Sequence, residues 1–406
     1  MNILFLSDNF PPERNASATR VHERACYWVR EGHRVTVITC APNFPDGKVF
    51  PGYRNRGSVE DLDGIRVVRV RTFVSANRGF FLRTADFVSY MLAAVVAGLR
   101  EEEPDLVAAT SPQFFAAVGG WILARLRRVP FVFELGDLWP ASIEAVGASR
   151  SRVLLSLLES VELFLYRQSA AVAALTHRFR EDLIRRGIPG ERIAVVRNGV
   201  DLPRYAPRPR DVSLSRAWGL DGRFVVGYLG THGMAHGLAN VLAAADGLRG
   251  SDATFLFVGA GAERDALVQD AARRGLDNVV FAPAQDKGEM PRVWSLCDVA
   301  LVHLKDDPVF ETVIPSKIFE AMGMGLPVLL VSPPGEAREI VEAEGAGIWV
   351  PAGRPEALAD AVNLLRTDED LRRRLAAASL AAAPRHSRKR QADEMLEVFS
   401  RVLAEV

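Results

Sequence analysis

FVVGYLGTHGMAHGL, residues 224–238, opens as a continuous apolar run, breaks at Gly230 and Gly233, and resumes as helix-compatible sequence near Ala235. A β-branched run that ends in a glycine loop and enters a helix is the repeating unit of a doubly wound parallel sheet. Downstream the same alternation continues through TFLFVG (254–259), NVVFAP (278–283), DVALVH (298–303), PVLLV (327–331) and GIWVP (347–351).

Upstream it runs through NILFLS (2–7), RVTVIT (34–39), IRVVRV (65–70), DLVAAT (105–110), FVFEL (131–135), AAVAAL (170–175) and IAVVRN (193–198). Most of these runs are continuous rather than alternating, which is the pattern of strands buried on both faces. Helix-length segments lie between them, such as Ala18 to Glu31 ahead of Gly32 and the long Arg152 to Gln168. The class is α/β. With 406 residues, at about 100 to 200 per domain, two domains are expected.

The alternation lapses at 201–223, DLPRYAPRPRDVSLSRAWGLDGR, where prolines and arginines replace the apolar period; this stretch is read as the interdomain linker. The expected division is a first Rossmann-like domain over 1–205 and a second over 206–387. A last helix, 388–406, with Met395, Val398, Phe399 and Val402 on one side, is read as crossing back onto the first domain.

Lys plus Arg and Asp plus Glu both number 50, so there is no net field to draw in nucleic acid, and no nucleic-acid partner is expected. Attraction for phosphate must be local. The three cysteines, Cys26, Cys40 and Cys297, show no zinc or disulfide spacing, which fits a reducing cytoplasm. MNILFLSDNFPPE is too briefly apolar for a signal peptide and is read as strand and turn. The longest apolar stretch, 87–99, falls short of the about 20 residues that span a membrane.

In open parallel sheets ligands sit beyond the carboxyl ends of the strands. In GYLGTHGMAHGL, Gly230, Thr231 and Gly233 can present backbone N–H groups to a phosphate, with His232 and His236 as nearby cations or donors, or the glycines can simply serve the turn. In FELGDLWPASIEAVG (133–147), Asp137 follows a buried strand and is either a base for an acceptor hydroxyl or a cap for a helix after Pro140. The loop DNFPPERNASATR offers Asp8, Asn15, Ser17 and Thr19 at the end of the first strand, with Arg20 one turn into the helix; a cleft edge and a helix cap by Ser17 or Asn15 both fit.

PSKIFEAMGMGLPVL (315–329) holds Glu320 among apolar residues. If Ser316 caps this helix, a capping-box acid belongs at residue 319, which is Phe319, so the cap reading fails by register. A carboxylate facing the strand ends can accept two hydroxyl hydrogen bonds, as the vicinal diol of a ribose supplies. The stretch 77–100, NRGFFLRTADFVSYMLAAVVAGLR, reads either as an interfacial helix, with Arg78 and Arg83 beside Phe80 and Phe81, or as a core helix.

Segments in one order carry a family likeness: SDNFPPERNASATR, EGHRVTVITCAPNFPDG, DLWPASIEAVG, RIAVVRNGVDLPRY, GYLGTHGMAHGL, FVGAGAERDAL and WSLCDVALVHLKDDPVFETVIPSKIFEAMGMGLPVL. Together they make the chain resemble a GT-B glycosyltransferase of the large retaining family 4 type. Within it, the chain is most similar to bacterial enzymes that build surface polysaccharides on a lipid carrier, the N-acetyl-fucosamine transferase type. The resemblance implies two facing Rossmann-like domains with a cleft between them. It also implies a nucleotide-diphosphate sugar donor, UDP-linked by preference, and a lipid-linked or other saccharide acceptor reached from the inner face of the cytoplasmic membrane.

Residue by residue, the resemblance makes Glu320 the ribose ligand at the end of the E-x7-E motif. The first acid of that motif falls on Thr312, with Glu311 one step away, so either Glu311 or Thr312 takes the donor sugar, or that role is lost. The family's basic pair in the second-domain glycine loop is replaced by His232 and His236, and Lys317, next to Ser316, or Lys305 supplies charge instead. Arg20 is kept as in the lipid-carrier subgroup, while Ala16-Ser17 stand for a Gly-Gly. Asp137, preceded by Gly136 where relatives have His, is the acceptor-side candidate.

No cofactor and no metal is implied, because the leaving diphosphate itself helps to deprotonate the acceptor. Asp61-Leu62-Asp63 spells DxD but sits in a turn, and Asp306-Asp307 is an exposed pair. Two other activities share these features: a GT-B sugar-nucleotide epimerase and a noncatalytic nucleotide-sugar-binding subunit.

Overall fold

The computed structural model describes residues 1–13, 15–44, 47–75, 80–111, 113–138 and 152–405. The chain divides into two compact units, Met1–Asn198 with Arg388–Val406, and Gly199–Ser387. The helix read after Pro140, together with Trp139 and Arg78, lies outside the described residues.

The first unit runs β1 (Asn2–Leu6), α1 (Ala16–Arg30), β2 (Arg34–Cys40), β3 (Ser58–Leu62), β4 (Ile65–Val70), α2 (Phe80–Gly98), β5 (Leu106–Thr110), α3 (Phe114–Arg127), β6 (Phe131–Leu135), α4 (Arg152–Gln168), β7 (Ala171–Ala174), α5 (His177–Arg185) and β8 (Ile193–Val195). These strands form one sheet in the order β3-β4-β2-β1-β5-β6-β7-β8. Leu4 in β1 is matched with Thr36 on one side and Val107 on the other. Every residue of β1, β5, β6 and β7 is buried, which is why their sequences are apolar apart from Asn2, Thr110 and Glu134.

β3 pairs antiparallel with β4 at the sheet edge and was not expected. Its sequence SVEDL is polar because one flank of an edge strand faces water, as the half-exposed Val59 shows. Helix α1 starts two residues before the expected Ala18, since Asn15 rather than Ser17 is its N-cap, accepting from the Ala18 amide at 2.8 Å.

The second unit contains α6 (Val212–Ala217), β9 (Phe224–Leu229), α7 (Ala239–Gly247), β10 (Ala253–Val258), α8 (Arg264–Arg274), β11 (Val279–Ala282), α9 (Met290–Trp294), β12 (Val299–His303), α10 (Lys317–Met324), β13 (Val328–Ser332), α11 (Glu336–Ala343), β14 (Gly347–Pro351), α12 (Pro355–Thr367) and α13 (Glu369–Ala382). Its sheet is parallel throughout, in the order β11-β10-β9-β12-β13-β14. The strand order reverses between β9 and β12, so the switch-point crevice of this unit lies beyond Leu229 and His303.

The stretch 201–223 is not a linker. Tyr205 and Leu220 are buried in the core of the second unit, and Asp211 caps α6 by accepting from the Leu214 amide at 2.9 Å. Tyr205 closes against α10, where its backbone oxygen lies 2.9 Å from the place a side chain at Gly323 would fill. Residues 201–205 thus fall in the second unit rather than the first.

The last helix, α14 (Arg388–Ala404), belongs to the first unit. It docks on α1 through Trp28, whose indole donates to the Ala392 carbonyl at 3.0 Å and whose ring meets Phe399 edge-on at 5.4 Å. Arg388 reinforces the contact with a 3.0 Å ion pair to Glu23. Truncating Phe399, which is fully buried, leaves a cavity of the kind that costs about 3–5 kcal/mol. Among the described residues no helix is long and apolar enough to cross a membrane.

Candidate functional site in the second unit

β9 is followed by Gly230, which has φ +140 and whose amide donates to the Val258 carbonyl at 2.8 Å. The turn is held from below by Tyr228, whose hydroxyl donates to the Thr231 carbonyl at 2.7 Å. Gly259 and Gly261, at the end of β10, press against the Gly230 and His232 backbones with no room for a side chain. Two glycine loops therefore nest together at the carboxyl edge of the sheet, and sequence reasoning had marked only one of them as a site.

A helix does not begin near Ala235. A single 3-10 turn covers Met234–His236, Gly237 turns left-handed at φ +55, and α7 begins only at Ala239. The turn is tied across the switch point: His303 and His236 each bond the other's backbone carbonyl, at 2.6 and 3.3 Å, and the Lys305 amide donates to Ala235 at 2.9 Å.

The histidines are not cations. His232 is fully buried against Tyr228, Phe257 and Phe281, and neither ring nitrogen has a hydrogen-bond partner among the described residues. Burial, with Arg264 and Lys317 adding to it, pulls its pKa down to about 4. His236 also falls to about 4, through burial and then Lys317. A position read as a charged donor is thus a neutral packing group, because the turn points that side chain inward.

The positive charge comes from Lys317, the first residue of α10. Its half-buried side chain crosses the end of β9, with Nζ 3.8 Å from the centroid of the Tyr228 ring. A side chain on Gly230 would put Cβ 2.6 Å from the Lys317 Cε, so the glycine is what lets the lysine reach the loop. Burial lowers the ammonium pKa to about 7, against an opposing pull from Glu320.

Helix α10 buries Ile318, Phe319, Ala321 and Met322, and Phe319 stacks on His386 at 4.9 Å. Glu320 falls on the remaining, half-exposed side and accepts a hydrogen bond from the Trp294 indole at 3.2 Å on Oε2. Ser316 is the N-cap residue with no side-chain cap bond, which agrees with the failure of the capping reading. Lys317, Glu320, Ser316 and Gly230 come together at this edge; Trp294 and Tyr228, which support them, had no sequence signal beyond being aromatic.

Thr312 closes a 3-10 turn over Pro308–Thr312, and its hydroxyl is spent on the Val309 carbonyl at 3.1 Å. Glu311 is exposed, and its backbone oxygen abuts Gly335 ahead of α11. Asp307 accepts from the Val309 amide at 3.1 Å as the cap of that turn, so the Asp306-Asp307 pair is divided between solvent and capping.

In the first unit the switch point lies between β1 and β5. Asp137 is half-buried after β6, its amide and that of Gly136 both donating to the Ser111 hydroxyl at 3.2 and 2.8 Å. Ser17 is half-buried in the first turn of α1. Arg20 is buried and structural in its contacts: it meets Glu134 at 2.8 Å and Thr110 at 3.1 Å. Asp8, which the same loop offers just past β1, is half-buried, and burial, with the nearby Asp86 and Glu13 adding to it, raises its pKa to about 7.

Residues 15–199 match the Glycosyl transferase 4-like domain, and residues 214–380 match Glycosyl transferases group 1. Among curated relatives, the Escherichia coli glycosyl transferase WcaI, named for colanic acid biosynthesis, is 24% identical over 80% of this chain and 82% of its own. A GDP-mannose-dependent alpha-mannosyltransferase of Mycobacterium tuberculosis is 28% identical over 89% of this chain and 87% of its own. Among solved structures, sucrose-phosphate synthase from Thermosynechococcus elongatus superposes with a TM-score of 0.78 at 18% identity, covering 100% of both chains. Anabaena Alr3699/HepE in complex with UDP gives 0.73 at 22% identity, covering 98% of this chain and 100% of that one. The two domain matches lie in order along the chain and the fold agrees with both structures, so the chain belongs to the group 1 glycosyltransferases, with a 4-like domain ahead of the group 1 domain in a GT-B fold.

Proposed function

We propose that this glycosyltransferase moves a sugar, hexosyl or N-acetylhexosaminyl, from a nucleotide-diphosphate donor to a lipid-linked or other saccharide acceptor in surface polysaccharide synthesis, with retention of anomeric configuration. The observation that carries the reading is the placement of Lys317 across the Gly230 turn with Glu320 one helical turn further on. The ammonium and the amides of Gly230, Thr231 and Gly233 take the diphosphate, with Ser316 at the helix start. Glu320 takes the ribose diol, and Glu311 or Thr312 faces the donor sugar.

In the transfer step the acceptor oxygen bonds to the anomeric carbon as the bond from that carbon to the diphosphate oxygen breaks, and the acceptor proton passes to the departing diphosphate. Lys317 stabilises the charge that develops there, and no metal enters the step. Asp137 orients the acceptor hydroxyl. A uridine donor is preferred because HepE was solved with UDP and with UDP-glucose, while the mycobacterial relative is named for GDP-mannose.

The surface-polysaccharide context rests on WcaI and on TuaH of Bacillus subtilis, named for teichuronic acid biosynthesis. Peripheral contact with the cytoplasmic face of a membrane fits the exposed Leu82, Leu92 and Val96 along α2. The N-acetyl-fucosamine type is the subgroup we favour.

The test offers UDP- and GDP-sugars with an undecaprenyl-diphosphate sugar and measures released nucleoside diphosphate. Release that needs both donor and acceptor is expected with a UDP-sugar. Absence of turnover across the panel, together with UDP affinity unchanged by Glu320→Ala, overturns both the reaction and the site.

A further inference from the structure

We propose that His22, Cys26 and Asp63 form a binding site for a soft divalent cation of the zinc class, separate from the nucleotide site. His22 and Cys26 are four residues apart on α1 and so project from one face, one turn above the other. Asp63 arrives from a distant part of the chain, the turn that joins β3 to β4, where it adopts φ 56. Sequence spacing conceals the group because its third member is supplied by the fold.

The three donor atoms converge. His22 Nε2 lies 2.9 Å from Asp63 Oδ2 and 3.6 Å from Cys26 Sγ, and all three donors fall within 4.8 Å of one another. Metal–ligand bonds of about 2.0–2.3 Å at tetrahedral angles set ligand–ligand separations of about 3.3–3.6 Å, so small side-chain adjustments bring the set onto one ion.

The scaffold around it is fixed. Gly64 brings the turn down onto α1, where a side chain would put Cβ 2.8 Å from Cγ1 of Val29, the next residue along the same helical stripe. Asp61 braces the turn by accepting from the Gly64 amide at 3.1 Å. The His22 ring is held edge-on to Phe10 at 5.6 Å.

The donor chemistry selects the ion. An imidazole and a thiolate favour zinc-class metals over magnesium or calcium, and thiolate plus carboxylate neutralise a dication. Cys26 is a thiol in the structure, as are Cys40 and Cys297, both of which are buried. His22 and Cys26 are half-buried while the Asp63 side chain is 60% exposed, which leaves an entry path and a fourth position for water. The turn precedes β4, so the site lies at the amino-terminal edge of the parallel strands, opposite the edge where ligands of such sheets bind. A bound cation here ties the β3–β4 hairpin to α1.

The probe is Co²⁺ titrated into the reduced, tag-free full chain, followed by competition with Zn²⁺. One equivalent is expected to bind with a thiolate-to-cobalt charge-transfer band that zinc abolishes, and Zn²⁺ is expected to raise the melting temperature. Cys26→Ser removes the band; Asp63→Asn and His22→Gln each weaken binding at least about tenfold. Circular dichroism and metal-free melting confirm that the variants fold, and Asp63→Asn carries the test if Cys26→Ser does not. Absence of saturable one-to-one binding, a band that survives Cys26→Ser, or affinity unchanged in folded Asp63→Asn overturns the site and leaves a surface His–Asp pair beside a thiol.

Discussion

The Lys317 ammonium lies 3.8 Å from the centre of the Tyr228 ring, and the Tyr228 hydroxyl holds the Thr231 carbonyl at 2.7 Å. One aromatic residue thus supports both the cation and the turn that the cation serves. A charge over a ring face is favourable, but burial costs the ammonium more than the ring and Glu320 return, and its pKa settles at about 7.

That value sets a pH dependence with two opposite signs. In the free protein the folded state binds fewer protons than the unfolded chain between about 7 and the ordinary 10.5, so this group makes stability rise with pH across that window. Binding of a diphosphate needs the ammonium, so UDP affinity falls as pH rises through about 7. Lys317→Met is expected to flatten both trends and to weaken UDP about tenfold to a hundredfold at neutral pH, since a charge-assisted bond contributes about 1.5–3 kcal/mol. Calorimetric titration of UDP and thermal melts over pH, wild type against variant, check it; parallel trends in the two proteins rule it out.

Gly230→Ala tests whether the glycine exists for the lysine. At φ +140 an alanine is strained, and its Cβ falls 2.6 Å from Lys317 Cε. A stability loss of about 1–3 kcal/mol is expected from the backbone alone. If Lys317 is displaced as well, the UDP affinity of folded protein drops and its pH dependence disappears, whereas strain alone leaves that dependence intact.

Glu320 is best probed with glutamine, which keeps an acceptor for the Trp294 indole now 3.2 Å away. A ribose clamp predicts a loss of about five- to tenfold in UDP affinity, the difference between charged and neutral hydrogen bonds. The same change has little effect on a deoxyribose analogue of UDP that lacks the clamped hydroxyl. Equal losses for UDP and the analogue would place Glu320 away from the sugar ring.

Much of this architecture was legible because strands buried on both faces are mostly apolar; FVFEL, interrupted only by Glu134, occupies β6 to the residue, and GIWVP occupies β14 at the edge of its sheet. Burial by isolated residues left no such trace. Tyr205 and Leu220 anchor 201–223 to the second unit, yet one tyrosine and one leucine among prolines and arginines show no period. The polar edge strand β3 was hidden by the same logic, with Ser58, Val59 and Asp61 exposed along it and Glu60 turned to the buried Arg69. In the candidate site, Lys317 came with the family likeness, while Glu320 followed from helix register, which is local. His232 did not, because only the packing of Phe257 and Phe281 decides that its ring turns inward and loses its charge.

Glu134, within the buried strand β6, is an acid whose removal the first unit is expected to tolerate poorly. Its side chain is 1% exposed and accepts from Arg24 at 3.0 and 2.7 Å and from Arg20 at 2.8 Å. Burial by itself would raise its pKa, but Arg24 and then Arg20 hold it down at about 2. Glu134→Ala leaves two buried guanidinium groups without their acceptor, a change expected to cost about 3–5 kcal/mol in urea unfolding. Because the folded pKa lies below the ordinary 4.5, the stabilisation is present above that value and fades as pH falls toward about 2. The acid limb of the stability curve should therefore be shallower in the variant than in the wild type, and an unchanged limb would mean that Glu134 is not the group that holds this network together.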